Sequence, residues 1–141
     1  MLRHKSPFRV SAVIIKDGKM LLIHRKKNGN DYFINIGGTP EKGESHVQTL
    51  VREVKEEARI DVRIVRKLDE AYNNHDERTH IFFLAEIISG EPKLGGPELE
   101  RQTEANQYLL EWCPVADAER IRLFPEAAKE IMKNLKTTGH E

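Results

Sequence analysis

At 141 residues the chain has the length of one domain. Its 23 basic and 23 acidic residues cancel, which argues against a nucleic-acid-coating surface, and the single cysteine, Cys113, excludes an intrachain disulfide. The apolar run from Val10 to Ile15 is far shorter than the ~20 residues needed to span a bilayer. The expectation is therefore one soluble, cytoplasmic domain over residues 1–141, frayed at 1–7 and 136–141, without a membrane partner, as a monomer or homodimer.

Phe8 to Ile15 is rich in β-branched residues and predicts a strand, and Asp17-Gly18 is a two-residue hairpin signal leading into a second strand, Met20 to His24. Lys26 to Asp31 predicts a polar loop turning at Asn28-Gly29. Tyr32 to Ile36 predicts a third strand, halted by Gly37-Gly38. Ser45 to Ala58 predicts a helix with Ser45 as N-cap and Gln48 as its capping-box partner. Val47, Leu50, Val51, Val54 and Ala58 form its apolar stripe.

Ile60 to Leu68, extending toward Tyr72, predicts a strand; Asn73 to Arg78 a turn; Thr79 to Ile88 another strand. Ser89 to Asn106, with Gly90, Pro92, Gly95, Gly96 and Pro97, predicts a long loop of the kind that is often functional. Tyr108 to Cys113 predicts a strand, and Phe124 to Leu135 a closing helix with Pro125 near its first turn. Strands, a helix, strands and a final helix predict an α+β chain, a mixed sheet packed between helices in an α/β/α sandwich.

Glu53, Glu56 and Glu57 stand at i, i+3 and i+4 on the first helix, on a face expected to lie roughly opposite the apolar stripe. Carboxylates this close repel one another unless a cation intervenes, and Mg²⁺ or Mn²⁺ suits all-oxygen ligands. A glutamate-rich helix face is more often merely solvated, so the surrounding residues decide. Gly38, Glu44, Arg52, Glu53, Val54, Glu56, Glu57 and Ile60 fall in register with G-x5-E-x7-R-E-U-x-E-E-x-G-U, where U is a bulky aliphatic residue. This stretch resembles the signature of the Nudix hydrolases, MutT among them. Arg59 departs from it, standing where the signature has the glycine that ends the helix in the left-handed region. A left-handed non-glycine residue costs on the order of 1 kcal/mol, partly offset by a cation at a helix C-terminus. Ile36 departs more softly, where relatives often carry proline.

The resemblance implies a Nudix fold and metal-dependent hydrolysis of a diphosphate linkage in a nucleoside diphosphate joined to another moiety, either a nucleoside triphosphate or a nucleotide sugar such as ADP-ribose. It implies one to three Mg²⁺ or Mn²⁺ ions on Glu53, Glu56, Glu57 and the Gly37 carbonyl. Glu44 closes the loop onto the helix, and Arg52 fixes a neighbouring glutamate. The general base is Glu98 on the long loop, Glu104, or Glu53. Arg25 resembles a phosphate-binding arginine. Tyr108 and Trp112 share a strand face, as core residues or as a platform for a base. The alternative is a Nudix-fold nucleotide-binding or sensing module without catalysis, which loss of a ligand glutamate would favour; none is lost.

Overall fold

The computed structural model describes residues 6–96, 99 and 101–138. Residues 1–5 and 139–141, at the two ends expected to fray, lie outside them. The frayed expectation also covers Pro7, whose carbonyl accepts a 2.8 Å bond from the Thr79 amide, and Lys136 to Thr138, which continue the last helix.

Strands β1 (Phe8–Lys16) and β2 (Lys19–Lys27) are joined by Asp17 and Gly18, both at positive φ (53° and 73°), as a tight hairpin turn of right-handed twist requires. Asn28 and Gly29 repeat this geometry, with φ 50° and 83°, and lead into β3 (Asn30–Asn35). The polar loop expected over 26–31 is thus a second two-residue hairpin, and its flanking lysines belong to the strand. Gly37–Gly38, expected only to halt a strand, form a short strand β4, which pairs with β1 through Ser11 and Val10. Helix α1 (His46–Ala58) follows, then the long hairpin of β5 (Asp61–Asn73) and β6 (Arg78–Ser89). After the loop come β7 (Asn106–Pro114), a 3₁₀ turn at Val115–Asp117, a two-residue β8 (Leu123–Phe124) and helix α2 (Glu126–Thr138).

β1 and β2 stay paired only at Ile15↔Met20 and Lys16↔Lys19, beside their turn. Beyond it they diverge. β1 runs parallel to β6 from Phe8↔Thr79 to Ile14↔Ala85, while β2 lies between β3 and β7, antiparallel to both. One mixed sheet therefore splits into two wings. Alternation along the strands sends residues to opposite faces. Val10, Ala12, Ile14, Leu21, Ile23, Ile81 and Phe83 pack in one core with Leu50, Val54 and Ala58 of α1. Val13, Met20, Leu22 and Phe82 pack in a second core with Ala128, Ile131 and Met132 of α2. The chain is α+β, a mixed sheet with α1 packed on one face and α2 on the other, as the order of elements predicts.

Candidate active site

Helix α1 begins with the predicted capping box. Ser45 Oγ accepts from the Gln48 amide at 3.1 Å, and Gln48 Oε1 accepts from the Ser45 amide at 2.9 Å. Its buried face differs from the predicted stripe. Leu50, Val54 and Ala58 are buried, but Val47 and Val51 are 43% and 37% exposed, while Thr49 is buried and Glu57 is only 3% exposed. At ~100° per residue Glu57 stands about 20° from Leu50 around the axis, so it flanks the buried row rather than opposing it. The three glutamates are thus graded in depth: Glu57 is buried, Glu53 half-buried and Glu56 exposed.

Gly38 and Glu53 interlock. A Cβ on Gly38 would lie 2.2 Å from the Glu53 carboxyl carbon, so only glycine leaves room for that carboxylate against the strand. Gly37 is held from the other side, where a Cβ would meet the Val10 carbonyl oxygen at 2.1 Å. The paired glycines thus seat β4 on β1 and seat Glu53 on β4.

Arg52 is the hub of the loop and helix. Its Nε donates to Glu44 Oε2 at 2.6 Å and its Nη2 to Glu44 Oε1 at 2.9 Å, a bidentate pair. Nη1 reaches Glu53 Oε2 at 3.2 Å and Glu56 Oε1 at 3.3 Å, and Nη2 also reaches the Thr39 carbonyl at 3.3 Å. Glu44 accepts further bonds from Thr49 Oγ1 at 2.7 Å and the Glu41 amide at 2.9 Å. The Arg52 guanidinium, then the Glu41 amide, hold the Glu44 carboxyl down to about 2, and Glu44 in turn raises Arg52. Glu44 is thus committed to closing the loop onto the helix. Arg52 also anchors two of the glutamates on its own helix, more than the single neighbour anticipated.

The helix ends where the signature departs. Arg59 adopts the left-handed region at φ 57° and ψ 33° despite its side chain, and its amide bonds the Lys55 carbonyl at 3.0 Å. The long loop folds back over this end. The Lys93 amide donates to the Ala58 carbonyl and the Gly95 amide to the Glu57 carbonyl, each at 2.9 Å, satisfying acceptors that a helix C-terminus otherwise leaves to solvent. A Cβ on Gly95 would stand 2.8 Å from both Arg59 Nε and the Glu56 carbonyl oxygen. The glycine missing at position 59 has a counterpart across the contact, and no spacing rule would have pointed to it.

Arg25 sits in a separate cluster on β2. Its Nη2 donates to Asn106 Oδ1 at 2.7 Å, and its guanidinium lies 3.9 Å from the Tyr108 ring centroid. Tyr108 is buried under Arg25, so its ring offers no open platform, and Trp112 is half-buried against the α1-side core. Glu98 lies outside the described residues, and Glu104 is exposed in the turn closed by Thr103 and Asn106. Thr39 was invisible in the sequence. Besides accepting from Arg52, it accepts through Oγ1 from Arg78 Nη2 at 2.5 Å.

Among the described residues, no three histidine, cysteine, aspartate or glutamate side chains converge at metal-binding distance as they stand; Arg52 lies between Glu53 and Glu56. The donor set nonetheless fits a hard divalent cation. It is all oxygen, it is graded in depth on one helix, and its Glu53 carboxylate occupies a seat that the glycine pair keeps open.

The model of the NUDIX domain matches residues 5–135, nearly the whole chain. The chain belongs to the Nudix family. The ADP-ribose pyrophosphatase of Methanocaldococcus jannaschii is 36% identical over 99 residues, which cover 66% of this chain and 58% of that protein. The dihydroneopterin triphosphate diphosphatase of Escherichia coli is 37% identical over 60 residues, 42% of this chain and 40% of that protein. The chain thus spans about half the length of these curated relatives. The crystal structure of the MutT protein from Methanosarcina mazei Go1 superimposes over 100% of both chains with a TM-score of 0.69 at 17% identity, a likeness of Nudix fold. No described helix is long and apolar enough to cross a membrane.

Proposed function

We propose that this Nudix chain is a pyrophosphohydrolase that adds water across a diphosphate linkage in a nucleoside diphosphate joined to another moiety, with ADP-ribose the first substrate to test. The observation that carries the proposal is the interlock of Gly38 with the Glu53 carboxylate, pinned by Arg52 within a signature that keeps all its glutamates. The similarity to the archaeal ADP-ribose pyrophosphatase supports the choice of substrate.

In this reading Glu53, Glu56, Glu57 and the Gly37 carbonyl hold one to three Mg²⁺ or Mn²⁺ ions. Bound there, a divalent cation lowers the pKa of water and neutralises charge on the phosphate oxygens. Arg52 restricts Glu53 and Glu56 to defined rotamers by charge-assisted bonds, so the carboxylates are oriented before substrate arrives. Glu44 holds Arg52 in turn. A carboxylate accepts the proton of the attacking water. The seating of the Glu53 carboxylate against Gly38 supports Glu53 in this role, and Glu98 and Glu104 on the long loop are the other two candidates. Arg25 is proposed as a phosphate contact. The chain is proposed as one Nudix domain acting on a small nucleotide, in the cytoplasm.

The test is a substrate panel of nucleoside triphosphates and nucleotide sugars, assayed with Mg²⁺ and with Mn²⁺ and followed by product identification. Turnover to two phosphate-bearing products supports the proposal. Nucleotide binding without turnover across the panel would instead assign a binding or sensing module.

A further inference from the structure

On the α2 side of the sheet, behind the signature loop, lies a cleft of about 290 Å³ whose polar lining the signature does not explain. Arg9, Asn35, Asp76, Arg78 and His80 line it, with Phe124 at one wall. Three buried polar atoms there find no hydrogen-bond partner among the described residues: Asn35 Oδ1, Arg78 Nε and His80 Nδ1. Asn35 and His80 are only 3% and 4% exposed, and an unmet buried polar group is costly unless something fills the need.

The charges point to the missing partner. Arg78 is lowered by burial and by the Arg9 guanidinium beside it, so two cations share the cleft. The carboxylate in the same lining, Asp76, already accepts from His80 Nε2 at 2.7 Å and from the Arg78 amide at 3.0 Å. Arg9 Nη2 donates to the Asn35 carbonyl at 3.0 Å, and Arg78 Nη2 to the Phe8 carbonyl at 2.7 Å and to Thr39 Oγ1, leaving Arg78 Nε to donate elsewhere. Asn35 Oδ1 needs a donor. His80 Nδ1 is unmet as well, while Nε2 of the same ring pairs with Asp76. The complement of this lining is an anion for the guanidiniums together with hydroxyls, which can both donate and accept. Phe124 and His80 are the two rings in the lining, and with His80 buried a single half-exposed phenyl ring does not make a sandwich for a base.

We infer that this cleft selects the moiety beyond the diphosphate and takes an acidic sugar, one that carries a carboxylate or a phosphate monoester beside its hydroxyls. The inference rests on the proposed pyrophosphohydrolase activity and narrows its substrate class. Thr39 connects the two places, since its carbonyl accepts from Arg52 of the signature and its hydroxyl from Arg78 of the cleft. Thr39 is thus the one residue that bonds both a signature side chain and a cleft side chain among the described hydrogen bonds.

Matched pairs differing only in the acid group test this. UDP-glucuronate is compared with UDP-glucose, and ADP-ribose 1″-phosphate with ADP-ribose, by steady-state kinetics with Mg²⁺ and by calorimetric titration without turnover. The acidic member of at least one pair is expected to show a KM and a dissociation constant about tenfold lower, the size of one charge-assisted hydrogen bond, with a smaller change in kcat. A preference confined to the first pair assigns a carboxylate, and one confined to the second a phosphate monoester. Arg9→Gln is expected to bring the preference close to one, and Arg9→Lys to retain most of it, with thermal melts confirming that both variants fold. Equal constants within both pairs, no binding of any of the four compounds, or a preference that survives Arg9→Gln would overturn the inference. Turnover of both members at equal efficiency would leave the proposed activity standing. Binding preference without any turnover would uphold the cleft and overturn the activity.

Discussion

Gly37 and Gly38 are adjacent and both buried, yet they meet different kinds of neighbour. A methyl group on Gly38 strikes the end of the Glu53 side chain, which can swing aside, whereas one on Gly37 strikes the backbone of β1, which cannot. Gly38→Ala is therefore expected to leave stability nearly unchanged while lowering kcat about 10²-fold, the scale of a misplacement of about 1 Å at a reacting centre. Gly37→Ala is expected to cost about 1–3 kcal/mol of stability, as overpacking does. Urea melts and turnover measured on the two variants separate the effects, and equal destabilisation would contradict the distinction. The signature was legible in the sequence because it is a pattern of residue types at fixed spacing. The depth of Glu57 was not, because a helical stripe counts apolar positions and cannot register a carboxylate tucked beside them.

Opposite pH limits act on two other residues. His24 is pulled down by burial, but bonds to Asp31 and, at 2.7 Å, to Glu111 outweigh this, and its pKa is raised from 6.5. Both ring nitrogens face carboxylates, so the imidazolium, which can donate from both, is the favoured form. A raised histidine contributes stability that is fully present below its unfolded pKa and lost as pH rises through the folded one. Urea midpoints are expected to fall as pH climbs past 6.5, and His24→Gln to remove that slope; a wild-type midpoint that holds steady there would contradict the reading. Glu44 has the reverse sign. Its contribution is present above pH 4.5 and is lost as pH falls toward about 2.

At the scale of elements, α1 ends in a left-handed Arg59, supported by a loop that supplies amide donors from Lys93 and Gly95. Because the loop satisfies these carbonyls whatever residue stands at 59, Arg59→Gly is expected to be neutral to stabilising by up to about 1 kcal/mol. Loss of more than about 1 kcal/mol in the variant would mean that the arginine side chain, packed against Gly95, matters more than the backbone conformation. The turns at Asp17-Gly18 and Asn28-Gly29 were readable because both dipeptides encode positive φ locally, although the second was expected within a longer polar loop rather than as a hairpin. β4 and β8 were not, since two residues carry no periodicity and each exists only through a partner distant in the chain, β1 and β3 respectively.

Across the whole molecule, β1 and β6 send alternate residues into two separate cores, so each helix is tied to the sheet independently. Phe82, fully buried on the α2 side, illustrates the consequence. Phe82→Ala is expected to cost about 3–5 kcal/mol. The variant that remains folded below its lowered melting temperature should keep the kcat of the wild type, because the signature helix packs on the other core. A lowered kcat in the folded variant would show that the two cores are coupled. The layered order was legible from the succession of strands and helices, but the splitting of one sheet into two wings depends on where β1 and β2 part, which no local pattern encodes.

The fate of the diphosphate decides the proposed activity most directly. Phosphorus NMR of ADP-ribose incubated with the protein and Mg²⁺ should show the diphosphate resonances replaced by two phosphomonoesters, AMP and ribose 5-phosphate, with the rate reduced about 10²–10⁴-fold in Glu53→Gln if this carboxylate takes the proton. An intact diphosphate in the presence of folded wild-type protein and metal, for ADP-ribose and for the rest of the panel, would contradict the account.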